Sequence, residues 1–166
     1  MFMVTHMEHI PNDDYALAAP VYAQESKRHQ PIDGQTERRL EVFVIFTDLP
    51  GTLAAVQSAE GLAQQLGAHL RLLMPYEVSC RLPLTKPPVP VEFLEGQMRD
   101  LAARTGMEVE AQVCLCRDKK SALGNLLPPN SLIVVGGRKR WWSTEAQRLS
   151  QAMQDNGHHV IFADLR

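Results

Sequence analysis

The rhythm of apolar positions changes near residue 39. Before it, Pro11, Pro20, Pro31 and Gly34 interrupt a polar stretch with no sustained period. Residues 1–38 therefore read as a flexible arm, short of the periodic apolar surface that offsets ordering entropy. A docking segment around Tyr15 to Tyr22 is the minority alternative. Residues 39–166 read as one α/β domain. Leu40 to Thr47 is almost wholly apolar and β-branched or aromatic, the pattern of a strand buried on both faces. Asp48, Pro50 and Gly51 break it. Leu53, Val56, Ala59, Leu62, Ala63 and Leu66 then recur at helical spacing, up to a stop at Gly67.

The same alternation continues. A second strand, Leu70 to Met74, ends at Pro75. A loop rich in proline leads to a helix from about Val91 to Thr105. Met107 to Cys116 is the third strand, and Asp118 caps a short helix to Leu127. Ser131 to Val135, the fourth strand, meets Gly136-Gly137. Thr144 and Gln147 fit a capping box for the last helix, Gly157 closes it, and His159 to Ala163 is the fifth strand. Strands alternating with helices imply a parallel sheet covered on both faces. Right-handed crossovers leave few topologies. The expected architecture is three-layer α/β/α, doubly wound and Rossmann-like, with five parallel strands in the order 3-2-1-4-5.

Composition narrows the setting. Hydrophobic residues make up 45% and charged residues 22%, ordinary for a globular domain. No apolar run approaches the ~20 residues that cross a bilayer. The N-terminus lacks the basic start and apolar core of a signal peptide, so the expected location is cytoplasmic. A formal charge of −2 argues against any general affinity for nucleic acid or membrane. Cys80, Cys114 and Cys116 read as reduced thiols. The last two are expected on opposite faces of their strand, which would prevent them from pinching a metal. His158 and His159 diverge as they enter a strand, and no metal site is assigned.

In an open α/β sheet, ligands sit beyond the C-terminal strand ends where the strand order reverses. Here that crevice lies between the first and fourth strands. Its candidate residues are Asp48, Pro50, Gly51, Met74, Gly136, Gly137, Arg138, Arg140, Ser143 and Thr144. Each has two readings. Asp48 binds a ligand or caps a turn. Gly136 and Gly137 admit a phosphate to the backbone or form a strand-ending turn. Arg138, Lys139 and Arg140 pair with phosphate or are merely solvated. Trp141 and Trp142 stack on a base or anchor a partner; alternatively one packs under a loop and the other covers a helix end. Ser143 and Thr144 hold an anion or cap a helix. There is no P-loop and no G-x-G-x-x-G after the first strand. No nucleophile, base and orienting acid form a set, so no catalytic residue is assigned and the enzyme reading stays open, leaning towards none.

The segment EVFVIFTDLPGTLAAVQSAEGLAQQLGAHLRLL resembles the opening of universal stress protein domains: strand, Asp, turn, helix, Leu-Gly-Ala, strand. SLIVVGGRKRWW resembles their fourth strand and glycine-led loop, and VIFAD their last strand. The likeness covers about residues 40 to 165. It implies the adenine-nucleotide α-hydrolase-like fold. Many members bind ATP through G-x-x-G, nine residues, then G-[ST]. This chain keeps Gly136, but Lys139 stands at the second glycine and Ala146-Gln147 at Gly-Ser/Thr. Asp48 matches an acidic residue at the adenine end. The resemblance thus implies a regulatory or binding module of the stress response with a degenerate ATP motif. The alternatives are a nucleotide- or small-anion-binding protein and an enzyme of the α-hydrolase-like group. ATP or another adenine nucleotide is the possible cofactor. Many members dimerise through their last strand, so a homodimer centred on Val160 to Ala163 is expected; an unknown protein partner is the other possibility.

Overall fold

The computed structural model describes residues 14–22 and 39–165. Its elements are β1 (Tyr15–Leu17), β2 (Val21–Tyr22), β3 (Glu41–Ile45), α1 (Leu49–Leu66), β4 (His69–Glu77), α2 (Val91–Ala103), β5 (Val109–Cys116), α3 (Lys119–Leu126), β6 (Leu132–Gly137), α4 (Glu145–Asp155) and β7 (His159–Asp164). One seven-stranded sheet runs β1-β5-β4-β3-β6-β7, with β2 also paired to β5. The five strands β5-β4-β3-β6-β7 are parallel. The expected five-stranded sheet is therefore incomplete, because β1 and β2 add an antiparallel margin along β5.

That margin corrects the reading of residues 1–38 as a featureless arm, at least over residues 14–22. Leu17 pairs with Cys114 and Val21 with Ala111. Four steps on one strand against three on the other define a bulge. Pro20 falls in it, where a missing N–H breaks no ladder. The Ala18 nitrogen donates to the Val113 carbonyl, and the buried Gln112 side chain donates to the Ala18 carbonyl at 3.0 Å. Tyr15, Leu17, Ala18 and Val21 are all buried. Residues 1–13 and 23–38, also read as arm, fall outside the described residues.

The sheet buries both faces, as alternation along its strands dictates. Val42, Val44, Leu70, Leu72, Ala111 and Val113 pack against Ala55, Val56, Ala59 and Ala63 of α1 and Leu94, Met98 and Leu101 of α2. Phe43, Ile45, Leu73, Ile133 and Val135 face the other way, onto Leu123 of α3 and Leu149 and Met153 of α4. Cys114 and Cys116 do not diverge. Residues two apart in a strand share a face, and Cys114 and Cys116 lie beside their cross-strand partners Leu17 and Tyr15, packed with Ala122.

Several boundaries move for local reasons. The helix α1 starts at Leu49 instead of Thr52, because extended Asp48 caps it and Pro50 occupies its first turn, where the N–H it lacks has no partner anyway. The strand β4 continues through Pro75 to Glu77. The Leu73 carbonyl accepts from the Phe46 nitrogen, so by alternation the Pro75 nitrogen faces the same side, where β3 has already ended. Gly136 and Gly137 do not form a turn. They are the last residues of β6, paired with Ala163 and Asp164. Among the described residues no helix is long and apolar enough to cross a membrane.

Candidate functional site

The crevice opens where β3 and β6 end side by side and the chain leaves each strand towards a different face. It is a cleft of about 520 Å³ lined by Thr47, Asp48, Pro50, Gly137, Arg138, Arg140, Thr144, Glu145, Ala146 and Leu165. Six expected residues thus meet there: Asp48, Pro50, Gly137, Arg138, Arg140 and Thr144. The other four do not line it. Met74 is buried in the core on the α1 and α2 face. Gly51 and Gly136 lie behind the lining. Ser143 lies in a neighbouring groove with Arg140, Trp141 and Arg148, and its hydroxyl accepts from the Arg148 Nε at 3.3 Å.

The floor is made by close backbone packing. A methyl group on Gly136 would overlap the Gly51 carbonyl oxygen, and one on Gly51 would stand 2.6 Å from the Gly136 oxygen. The first turn of α1 therefore rests directly on the end of β6, which only two glycines permit. Thr47 ties the same corner: its hydroxyl donates to the Gly136 carbonyl at 2.8 Å, and its nitrogen donates to the Thr52 hydroxyl at 3.1 Å. Gly137 supports α4 in the same manner, since a methyl there would lie 2.8 Å from the Ala146 Cβ.

Two helices point their N-termini at this cleft, an arrangement that favours anions. Each is partly occupied by its own chain. In α1 the Gly51 nitrogen donates to the Asp48 carboxylate at 2.7 Å, the Thr52 nitrogen donates to the Asp48 carbonyl, and Pro50 has no N–H. In α4 the Gln147 nitrogen donates to the Thr144 hydroxyl, while the Thr144 nitrogen donates back to the Gln147 side chain at 2.9 Å. Only the Leu49, Glu145 and Ala146 amides have no such partner within their caps. The groups that remain for an incoming anion are chiefly the exposed guanidiniums of Arg138 and Arg140. Lys139 turns aside: its ammonium lies 5.8 Å from the Phe162 ring centre, and its backbone nitrogen donates to the Asp164 carboxylate at 3.1 Å.

The sequence reading missed Thr47, Glu145 and Leu165. Thr47 had a signal, a hydroxyl next to the strand-ending Asp48. Leu165 had none, because it joins the cleft only when β7 aligns with β6 and the Leu165 nitrogen donates to the Gly137 carbonyl. Trp141 and Trp142 correct an expectation too. Neither packs under a loop or covers a helix end, for they are 101% and 83% exposed.

Neither the family models nor the curated proteins compared with the chain give a match. Among solved structures the chain is similar to a universal stress protein from Archaeoglobus fulgidus, at 14% sequence identity and a TM-score of 0.53, over 74% of this chain and 92% of that one. The described residues share the α/β fold of that protein.

Proposed function

We propose that the chain is a universal-stress-protein-like regulatory or binding module of the cytoplasm whose crevice does not take ATP in the pose usual for that family. The observation that carries this reading is the self-capping of both helix N-termini. The Asp48 carboxylate and the Thr144–Gln147 box engage amides that a phosphate chain would otherwise use. Ala146 adds a methyl packed against Gly137. A second reading, capture of a small anion, is favoured by one feature: Arg138 and Arg140 line the cleft, and guanidinium pairs with a carboxylate or phosphate without backbone help. The proposal includes a symmetric homodimer through β7, the outer strand of the sheet on its side.

Titration calorimetry of the full chain with ATP, ADP, AMP and cyclic nucleotides tests the main reading. The expected result is no binding at micromolar concentrations. Micromolar ATP binding that disappears in Asp48→Ala would overturn it. Binding of inorganic phosphate or a dicarboxylate that is lost in Arg138→Gln/Arg140→Gln would establish the small-anion reading.

A further inference from the structure

The loop 138–144 joins β6 to α4 and ends in two tryptophans that the fold does not use. An indole gains a great deal from burial, yet Trp141 is 101% and Trp142 83% exposed. Immediately before them stand Arg138, Lys139 and Arg140, all exposed. None of these three cations has an ion-pair partner among the described residues. Of the nearby carboxylates, Glu145 pairs with Lys119, while Asp48 and Asp164 hydrogen-bond the backbone amides of Gly51 and Lys139 and form an ion pair with none of the three cations. The loop is thus a local patch of positive charge tipped with bare indoles, on a chain whose net charge is −2.

We infer that this loop docks the protein on an anionic lipid bilayer surface. Indoles favour the headgroup region, where the ring is half in hydrocarbon and its N–H stays wet. Basic side chains beside them reach lipid phosphates and carboxylates. The bilayer interface accepts two adjacent bare indoles without a matching pocket. Other occupants fit less well. A second copy would bring the same three cations against these three, and like charges repel. Single-stranded nucleic acid calls for a basic groove tracking several nucleotides, whereas the groove beside the loop, lined by Lys120, Arg140, Trp141 and Arg148, also carries the Asp155 carboxylate and leaves Trp142 outside it. The acidic balance of the rest of the chain makes the contact focal and sensitive to salt. Arg138 and Arg140 also line the crevice, whereas Lys139, Trp141 and Trp142 do not, so the tryptophan variant separates this inference from the small-anion reading.

Trp141 and Trp142 are the only tryptophans in the chain, so intrinsic fluorescence reports this loop alone. The full chain is titrated with vesicles of phosphatidylcholine, with and without phosphatidylserine. The expected result is a blue shift and co-flotation with the mixed vesicles only, quenching by brominated acyl chains, and reversal in high salt. Each basic residue near such a surface strengthens adsorption about fivefold. Arg138→Gln/Lys139→Gln/Arg140→Gln should therefore lower partitioning on the order of a hundredfold, with the thermal melt unchanged. Trp141→Ser/Trp142→Ser should abolish flotation. No shift with either vesicle overturns the inference. So does a shift produced by a single-stranded oligonucleotide or an acidic peptide but not by vesicles.

Discussion

The two margins of the sheet meet the same physical problem in different ways. A strand margin exposes unpaired N–H and C=O groups and invites another chain. At the β5 margin the protein supplies the cover itself: β1 and β2 pair with it, and Tyr15, Leu17, Ala18 and Val21 are buried there. At the β7 margin, among the described residues, no strand pairs outside His159–Asp164. Ile161 remains 39% exposed, and Val160 and Phe162 are only partly buried. The difference shows that the β5 margin is internal structure, whereas the β7 margin is unpaired among the described residues, which is why the proposed function places a partner there. Over residues 14–22 the N-terminal segment guards β5, not β7.

The comparison breaks most visibly at the covered margin. Leu17→Asp would bury a carboxylate against Cys114 and Ala122, at a cost of about 3 kcal/mol or more. The expected outcome is a large fall in the urea midpoint and faster labelling of Cys114 and Cys116, which the unsubstituted protein keeps buried while Cys80 is exposed. An unchanged midpoint would show that the cover contributes nothing, as a flexible arm would.

Alkaline pH should weaken the same margin. Burial pushes the Cys114 thiol up to about 12 and, with help from Glu77, the Cys116 thiol to about 11, from an ordinary value of 9.0. A raised folded value means that the unfolded chain loses its protons first. Stability is then full below about 9 and declines as pH rises towards 11 and 12. Cys114→Ala/Cys116→Ala should flatten that decline in denaturation curves measured across the range.

Acid should weaken the β7 side instead. Buried His158 accepts a hydrogen bond from the Ser131 nitrogen at 3.2 Å through Nδ1, just before β7 begins. Burial, and secondarily His159, holds its pKa below the usual 6.5. The neutral ring is the stabilising form. Its contribution is present above about 6.5 and is lost as pH falls through the lower folded value. His158→Ala, which leaves the Ser131 amide unpaired, should cost about 1–2 kcal/mol at neutral pH and remove this part of the acid slope.

The smallest effect on stability and the sharpest on assembly belongs to Ile161→Lys. A partly exposed margin position should change the monomer's stability by no more than about 0.5 kcal/mol. Light scattering at micromolar concentration should nevertheless shift from dimer to monomer. A wild-type chain that is already monomeric would remove the β7 dimer from the proposed function.

Much of this molecule was legible before folding was considered, because strand and helix periodicities are local. The apolar run before Asp48, the helical spacing up to Gly67 and the Thr144–Gln147 box each specify an element within its own few residues. The placing of Asp48, Pro50, Gly137, Arg138, Arg140 and Thr144 around one crevice is not local, but it follows once parallel strands in that order are assumed. The tertiary structure alone decided the rest. The β1–β2 segment has too few residues, and a proline-containing bulge, to show a period. It becomes a strand only because β5 offers a free margin and Gln112 meets the Ala18 carbonyl. Likewise Gly51 and Gly136 are 85 positions apart in the sequence, and nothing local says that their backbones touch. The same holds for the tryptophans. Sequence marks them as apolar, but whether a neighbour arrives to cover them depends on distant chain, and among the described residues none does.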